Sequence, residues 1–252
     1  MSADPAGTGG VGRPGRSSCG RTADQTAGRC VRAPRPGTIV SVIDTAARPA
    51  PAPAAPVRWW LPLAVLVLGV GGGVLTEWAQ GVLPDPWGAW ANSVAAWCLV
   101  AFLVGAISGG VRTAIAAAVA TELLLVGGYY AAQSVQLLPV NRVTVVEWLL
   151  AGVVAGVVFG TAGQWWRRAT GWRSTVAVAV AGGVLVTEGV HRAVRFPWQG
   201  SSGVVMVVAG ALLALLLARS WRQRALVAGL LVAVVPLGWL ATELVDAALS
   251  AN

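Results

Sequence analysis

Residues 148–166 read WLLAGVVAGVVFGTAGQWW, uncharged from Trp148 to Trp166 and closed by Arg167 and Arg168. A helix rising about 1.5 Å per residue needs roughly 20 residues to cross a hydrocarbon core of about 30 Å, and this stretch meets that requirement. Similar runs flank it on both sides: 59–76, 86–111, 113–121 continuing past Glu122 to Asn141, 174–187, 196–218 and 225–242. Strand-like alternation is absent, which argues against a membrane barrel. The expected fold is therefore all-α: a polytopic transmembrane bundle of about seven helices, by the length a bilayer demands. The helices are placed approximately at 59–79, 88–110, 113–133, 145–166, 172–190, 202–219 and 225–245, within a membrane domain spanning 58–252. The fifth has the weakest signal.

Composition points the same way. Apolar residues make up 56% of the 252, charged residues only 11%, and mean hydropathy is +0.69. A soluble domain has about a quarter of its residues charged. All 18 cations are arginine, gathered in the N-terminal region and in the joints between apolar runs. That is the pattern membrane topology produces, so the high pI does not imply a nucleic-acid partner. With the N-terminus inside, the inner joints hold Arg58, Arg112, Arg167, Arg168, Arg173, Arg219, Arg222 and Arg224, and the outer joints hold only Arg142, Arg192 and Arg195. The expectation is a bacterial inner-membrane protein with a cytoplasmic N-terminus and an external C-terminus. Tryptophans agree, since Trp165, Trp166, Trp172 and Trp221 fall at inner boundaries and Trp78, Trp87, Trp148 and Trp198 at outer ones.

Residues 1–57 are rich in Gly, Pro, Ala and Arg. They lack the apolar surface needed to offset the entropy of ordering, and a disordered cytoplasmic tail is expected. The Pro/Ala alternation from Arg48 to Pro56 reads as a stiff spacer, and translation starting near Val40 or Val42 is a further expectation. Cys19, Cys30 and Cys98 form neither a metal spacing nor a disulfide framework. No cofactor or metal is expected.

An internal repeat emerges from the turns. Gly73-Val74-Leu75-Thr76-Glu77 is followed by Pro86-Trp87, and Gly183-Val184-Leu185-Val186-Thr187-Glu188 by Pro197-Trp198, with the same Glu-to-Pro spacing. Thr-Glu recurs at Thr121-Glu122 and Thr242-Glu243, so each odd helix carries one. A parallel duplication follows: three helices, a linker helix, three more. Gly152, Gly156 and Gly160 on the linker, with Ala101, Gly105 and Gly109 on the second helix, form small-residue faces suited to close packing.

The three-plus-one-plus-three plan resembles that of the SWEET sugar transporters in layout, without their Pro-based motifs and with the opposite inferred orientation. The apolar body from about Trp59 onward, with Trp90-Ala91-Asn92-Ser93 opening the second helix and Gly-Tyr-Tyr at 128–130, is similar to small multi-pass bacterial membrane proteins classed as domains of unknown function. That resemblance implies a membrane bundle and no activity.

Glu122 is the sharpest candidate for chemistry. It lies about equally far from Arg112 and Gln133, near the bilayer midplane. A carboxylate there costs several kcal/mol unless it is protonated, paired or wetted. Carriage of a proton or a cation is one consequence; a protonated clip hydrogen-bonded to a neighbouring helix is the other. Glu77, Glu188 and Glu243 sit near outer helix ends, where water should reach them, and clustered odd helices would let the four glutamates ring a vestibule. Arg192, four residues beyond Glu188, favours a local ion pair. Glu147 is expected to open the fourth helix and complement its dipole. The lone His191 reads as an interfacial, solvated side chain. Gly200-Ser201-Ser202-Gly203 superficially resembles the serine motif of rhomboid proteases, but no histidine follows it. An enzyme is not expected. The two function classes left open are a small transporter or channel for a proton, cation or small solute, and a membrane scaffold or assembly partner. Lipid is the one partner the sequence names.

Overall fold

The computed structural model describes residues 59–250, so the expected N-terminal tail and alternative start lie outside the described residues. Within them the protein is an all-α, polytopic bundle. Seven helices carry the fold: α1 (Leu61–Val82), α2 (Val94–Ile107), α3 (Val111–Val135), α4 (Arg142–Arg168), α5 (Trp172–Arg195), α6 (Gly200–Leu217) and α7 (Trp221–Ser250). Six of these stretches are long and apolar enough to cross a membrane; α2, at 14 residues, is shorter.

The second apolar run is thus not one helix over 88–110. A short helical segment, Trp87–Ala91, is followed by a break at Asn92 and Ser93, and α2 begins only at Val94. Ser93 causes the break, because its hydroxyl accepts from the Ala96 amide at 3.2 Å and caps the new helix. Ser108, Gly109 and Gly110 end α2 before α3 starts. The fourth helix opens three residues earlier than the sequence suggests. Asn141 caps it, accepting from the Val143 amide at 2.9 Å, so Glu147 falls in its second turn and not at its dipole end. Arg167 and Arg168 close α4, and Arg192 and Arg195 close α5, where cations favour the C-terminal dipole.

In lipid no hydrophobic force drives helices together, so close backbone approach must do it. α3 is the hub for α1, α2 and α4, while α5 is the hub for α6 and α7 and also touches α2 and α4. Cys98, Phe102, Ala118, Phe159, Ala177 and Ala181 form a core where α2, α3, α4 and α5 meet. On α4, a Cβ at Gly156 would stand 2.5 Å from the Val119 Cα, and one at Gly160 would stand 2.7 Å from the Ala118 Cβ. Gly105 faces Gly160 itself. Gly109, by contrast, faces open space, since it lies in the turn after α2 and not on its packing face.

Candidate functional site

Glu122 occupies the middle of α3 and is 2% exposed. α4 crosses it at Gly152, where an added Cβ would lie 3.3 Å from the Glu122 Cβ. A glycine there admits the carboxylate-bearing helix but supplies no side chain to bind it. Thr121, fully buried beside it, turns its hydroxyl back to the Ala117 carbonyl at 2.8 Å. Glu122 Oε1 is buried and has no hydrogen-bond partner among the described residues. The clip expected from the sequence therefore has no bond at this oxygen.

One turn farther along α3, on the same face, Val126 is buried at 1% exposure. Beyond it opens a cavity of about 140 Å³ walled by Ser93, Trp97, Tyr129, Tyr130 and Trp148. Tyr129 is two turns from Glu122, so the cavity lies roughly 10 Å farther along the helix at about 1.5 Å per residue. That volume has room for several waters, and its polar rim gives them partners. The Tyr129 hydroxyl accepts from Gln80 at 2.9 Å and from Gln133 at 3.1 Å. Trp97 donates its indole N–H to the Thr76 hydroxyl at 3.3 Å and packs edge-on against Tyr129, ring centres 5.9 Å apart.

Glu188 is held at the rim by Arg192, whose Nη2 stands 2.7 Å from its Oε1. Its Oε2 accepts from the Ser93 hydroxyl at 2.9 Å and from the Ala95 amide at 2.7 Å, so it caps α2 from another helix. The Cys98 thiol is buried on α2, one turn beyond the Ala95 amide that donates to Glu188.

The other candidates stand elsewhere. Glu77 is 5% exposed and accepts from the Gln136 side chain, so water does not dissolve it as the sequence suggests; the end of α3 covers it instead. Glu243 lies 3.8 Å from His191 Nε2 and 3.7 Å from Arg195 Nε. His191 is correspondingly buried at 5% exposure and packs against Trp239, ring centres 5.1 Å apart; it is not a solvated interfacial histidine. No ring of four glutamates forms, because α1 pairs with α3 and α5 with α7, while α2 and α4 stand between the pairs. Gln80 and Gln136 had no place in the sequence reading, and Ser93 and Tyr129 entered it only through a family resemblance, not as site residues. Only Ser93 had a legible signal, a capping residue directly before an apolar run. No group of three His, Cys, Asp or Glu suited to a metal occurs among the described residues.

The buried mid-helix carboxylate in a multi-pass bundle has a family context. A model described as a family of unknown function, DUF6518, matches residues 53–251. The chain belongs to this family. The match covers every described helix, so the Glu122 site and the Glu188 network both lie within the DUF6518 region. No curated protein and no solved structure gives a significant match.

Proposed function

We propose that this DUF6518 protein is a small transporter or channel for a proton, a cation or a small solute, with Glu122 as the group that carries the proton or holds the cation. One observation carries the reading: a mid-helix carboxylate at 2% exposure whose Oε1 has no hydrogen-bond partner among the described residues. A purely structural clip would gain its stability from that missing bond. An ionisable group at such depth is costly to keep without a task. The 140 Å³ cavity supports the reading as an access route from one side, with Val126 as the barrier that has to yield. The proposed orientation keeps the N-terminus cytoplasmic, because the Arg112, Arg167, Arg168, Arg173 and Arg219 end then faces inward, and the cavity opens outward. The proposal does not include an enzymatic activity.

The parallel duplication belongs to the same proposal. Its support is the shared Glu-to-Pro-Trp spacing after α1 and α5. The packing has since diverged, since the hub is the third helix of one triplet and the first of the other.

The test is flux in vesicles reconstituted with the full chain, read with a pH-sensitive dye under an imposed potential and then with a panel of monovalent cations. Glu122→Gln is expected to reduce flux to the level of empty vesicles while the variant elutes like the parent, and Glu122→Asp to retain part of it. Unchanged flux in Glu122→Gln rejects the assignment. A second reading, a scaffold or assembly partner, is favoured by α7, of whose spanning stretch only 6% is buried within the chain. Stoichiometric co-purification of a defined protein, with no flux for any ion tried, decides for it.

A further inference from the structure

At the arginine-rich end of the bundle the short loops 169–171 and 218–220 frame a cleft of about 600 Å³ between the first turns of α5 and α7. We propose that this cleft is a binding site for one anionic phospholipid, its phosphate held by Arg219 and Arg222 and one acyl chain laid along Val176, Leu226 and Leu230. The depth is right for a headgroup. Trp172 and Trp221, 64% and 80% exposed, mark the interface at both helix starts.

The charge in the cleft is not neutralised by the protein's own sequence neighbours. No Asp or Glu occurs in 166–176 or 217–226, although these segments hold Arg167, Arg168, Arg173, Arg219, Arg222 and Arg224. Arg219 is held in place by its Nη2, which donates to the Trp166 carbonyl, and a guanidinium has further N–H donors to offer. Planar guanidinium groups recognise phosphate by paired hydrogen bonds. Arg173 is engaged otherwise, its guanidinium standing 5.5 Å from the Trp172 ring centre. Ser220 adds a hydroxyl to the lining, as do the buried Ser174 and Thr175, which already accept from Gln223 and donate to the Gly171 carbonyl, respectively.

The apolar half of the cleft chooses between the two sources of a phosphate. Val176 lies one turn into α5, and Leu226 and Leu230 lie on successive turns of α7 and face the same space. Free phosphate would meet the arginines and leave these side chains bare. A phospholipid satisfies both, and basic pockets between spanning helices are where anionic headgroups settle. The assignment is independent of Glu122, at the middle of α3, so flux and lipid retention are separable readouts.

The experiment is native mass spectrometry of the full chain in detergent, titrated with phosphatidylglycerol or with phosphatidylcholine of the same acyl chains. The first phosphatidylglycerol is expected to bind about 30-fold tighter than phosphatidylcholine, the scale that two interfacial arginines supply at about 1 kcal/mol each. Arg219→Gln with Arg222→Gln should erase that preference. Arg167→Gln with Arg168→Gln, which removes equal charge outside the cleft, should keep it. Leu226→Trp, which fills the apolar half without touching charge, should weaken the same first binding event and serves if the arginine pair fails to fold. Equal loss in both arginine pairs, no preference in the parent, or displacement of the lipid by millimolar inorganic phosphate would each overturn the proposal.

Discussion

Replacing Arg192 by Met is expected to destabilise the bundle by about 3–5 kcal/mol, and replacing Glu188 by Met in the same chain to restore most of that loss. An exposed pair at this spacing on a helix is worth only about 0.3–0.5 kcal/mol. Burial decides which figure applies, and the two side chains are 15% and 13% exposed. The guanidinium also donates to the Gln199 side chain at 2.9 Å and to the Asn92 carbonyl at 2.7 Å, joining α5 to the start of α6 and to the break before α2. Without it, Glu188 remains a largely buried charge satisfied only by Ser93 and Ala95. Removing both charges removes the desolvation cost with the attraction, which is why the double variant should recover. Glu188→Gln should fall between them, because its side-chain carbonyl still accepts from Ser93 and Ala95. Thermal unfolding in detergent, followed by loss of the monodisperse peak, orders the variants. A shift for Arg192→Met no larger than that of an exposed arginine such as Arg168→Met would mean that water reaches the pair.

The same network explains what was legible in the sequence. Apolar length revealed a helical membrane bundle, because the bilayer admits few other solutions. At the extremes, however, hydropathy ranked the helices in the reverse of their burial. α5 gave the weakest signal, yet 67% of its spanning stretch is buried; α7, among the most apolar, is 6% buried. A helix surrounded by protein has room for Ser174, Thr175, Thr187, Glu188 and His191, whereas a helix facing lipid does not. Hydropathy therefore reports contact with lipid, and the hub looks like the doubtful span. Local spacing was similarly partial. Arg192 four residues beyond Glu188 announced their pairing, but Ser93 lies 95 residues away and Gln136 is 59 residues from Glu77, so no window contains those partners. The glycine stripe of α4 could be read because four-residue spacing marks one face. Gly163, three residues beyond Gly160, packs onto the Phe102 carbonyl on α2 and escaped that filter.

Two adjacent glycines on α3 should respond oppositely to the same substitution. A Cβ on Gly128 would stand 2.6 Å from the Val70 carbonyl oxygen and 3.1 Å from the Val70 Cα, whereas one on Gly127 would meet nothing within 4 Å. The obstacle at Gly128 is backbone, which has no rotamer by which to yield, so a leucine there must push α1 away. Gly73 on α1 packs reciprocally against the Leu125 carbonyl, so the displacement opens both halves of one seam. Overpacking of this kind costs about 1–3 kcal/mol, occasionally more. α1 has little else to hold it, because α3 is its main neighbour among the described helices. Gly128→Leu is therefore expected to lower thermal stability in detergent and to expose the joint between α1 and α2 to protease. Gly127→Leu should leave the joint protected and raise stability by up to about 1 kcal/mol, the helix propensity glycine lacks. Gly128→Ala isolates the first carbon of the clash and should lie between them. Equal responses at the two positions would show that α1 does not dock on α3 through this seam in the membrane protein as purified.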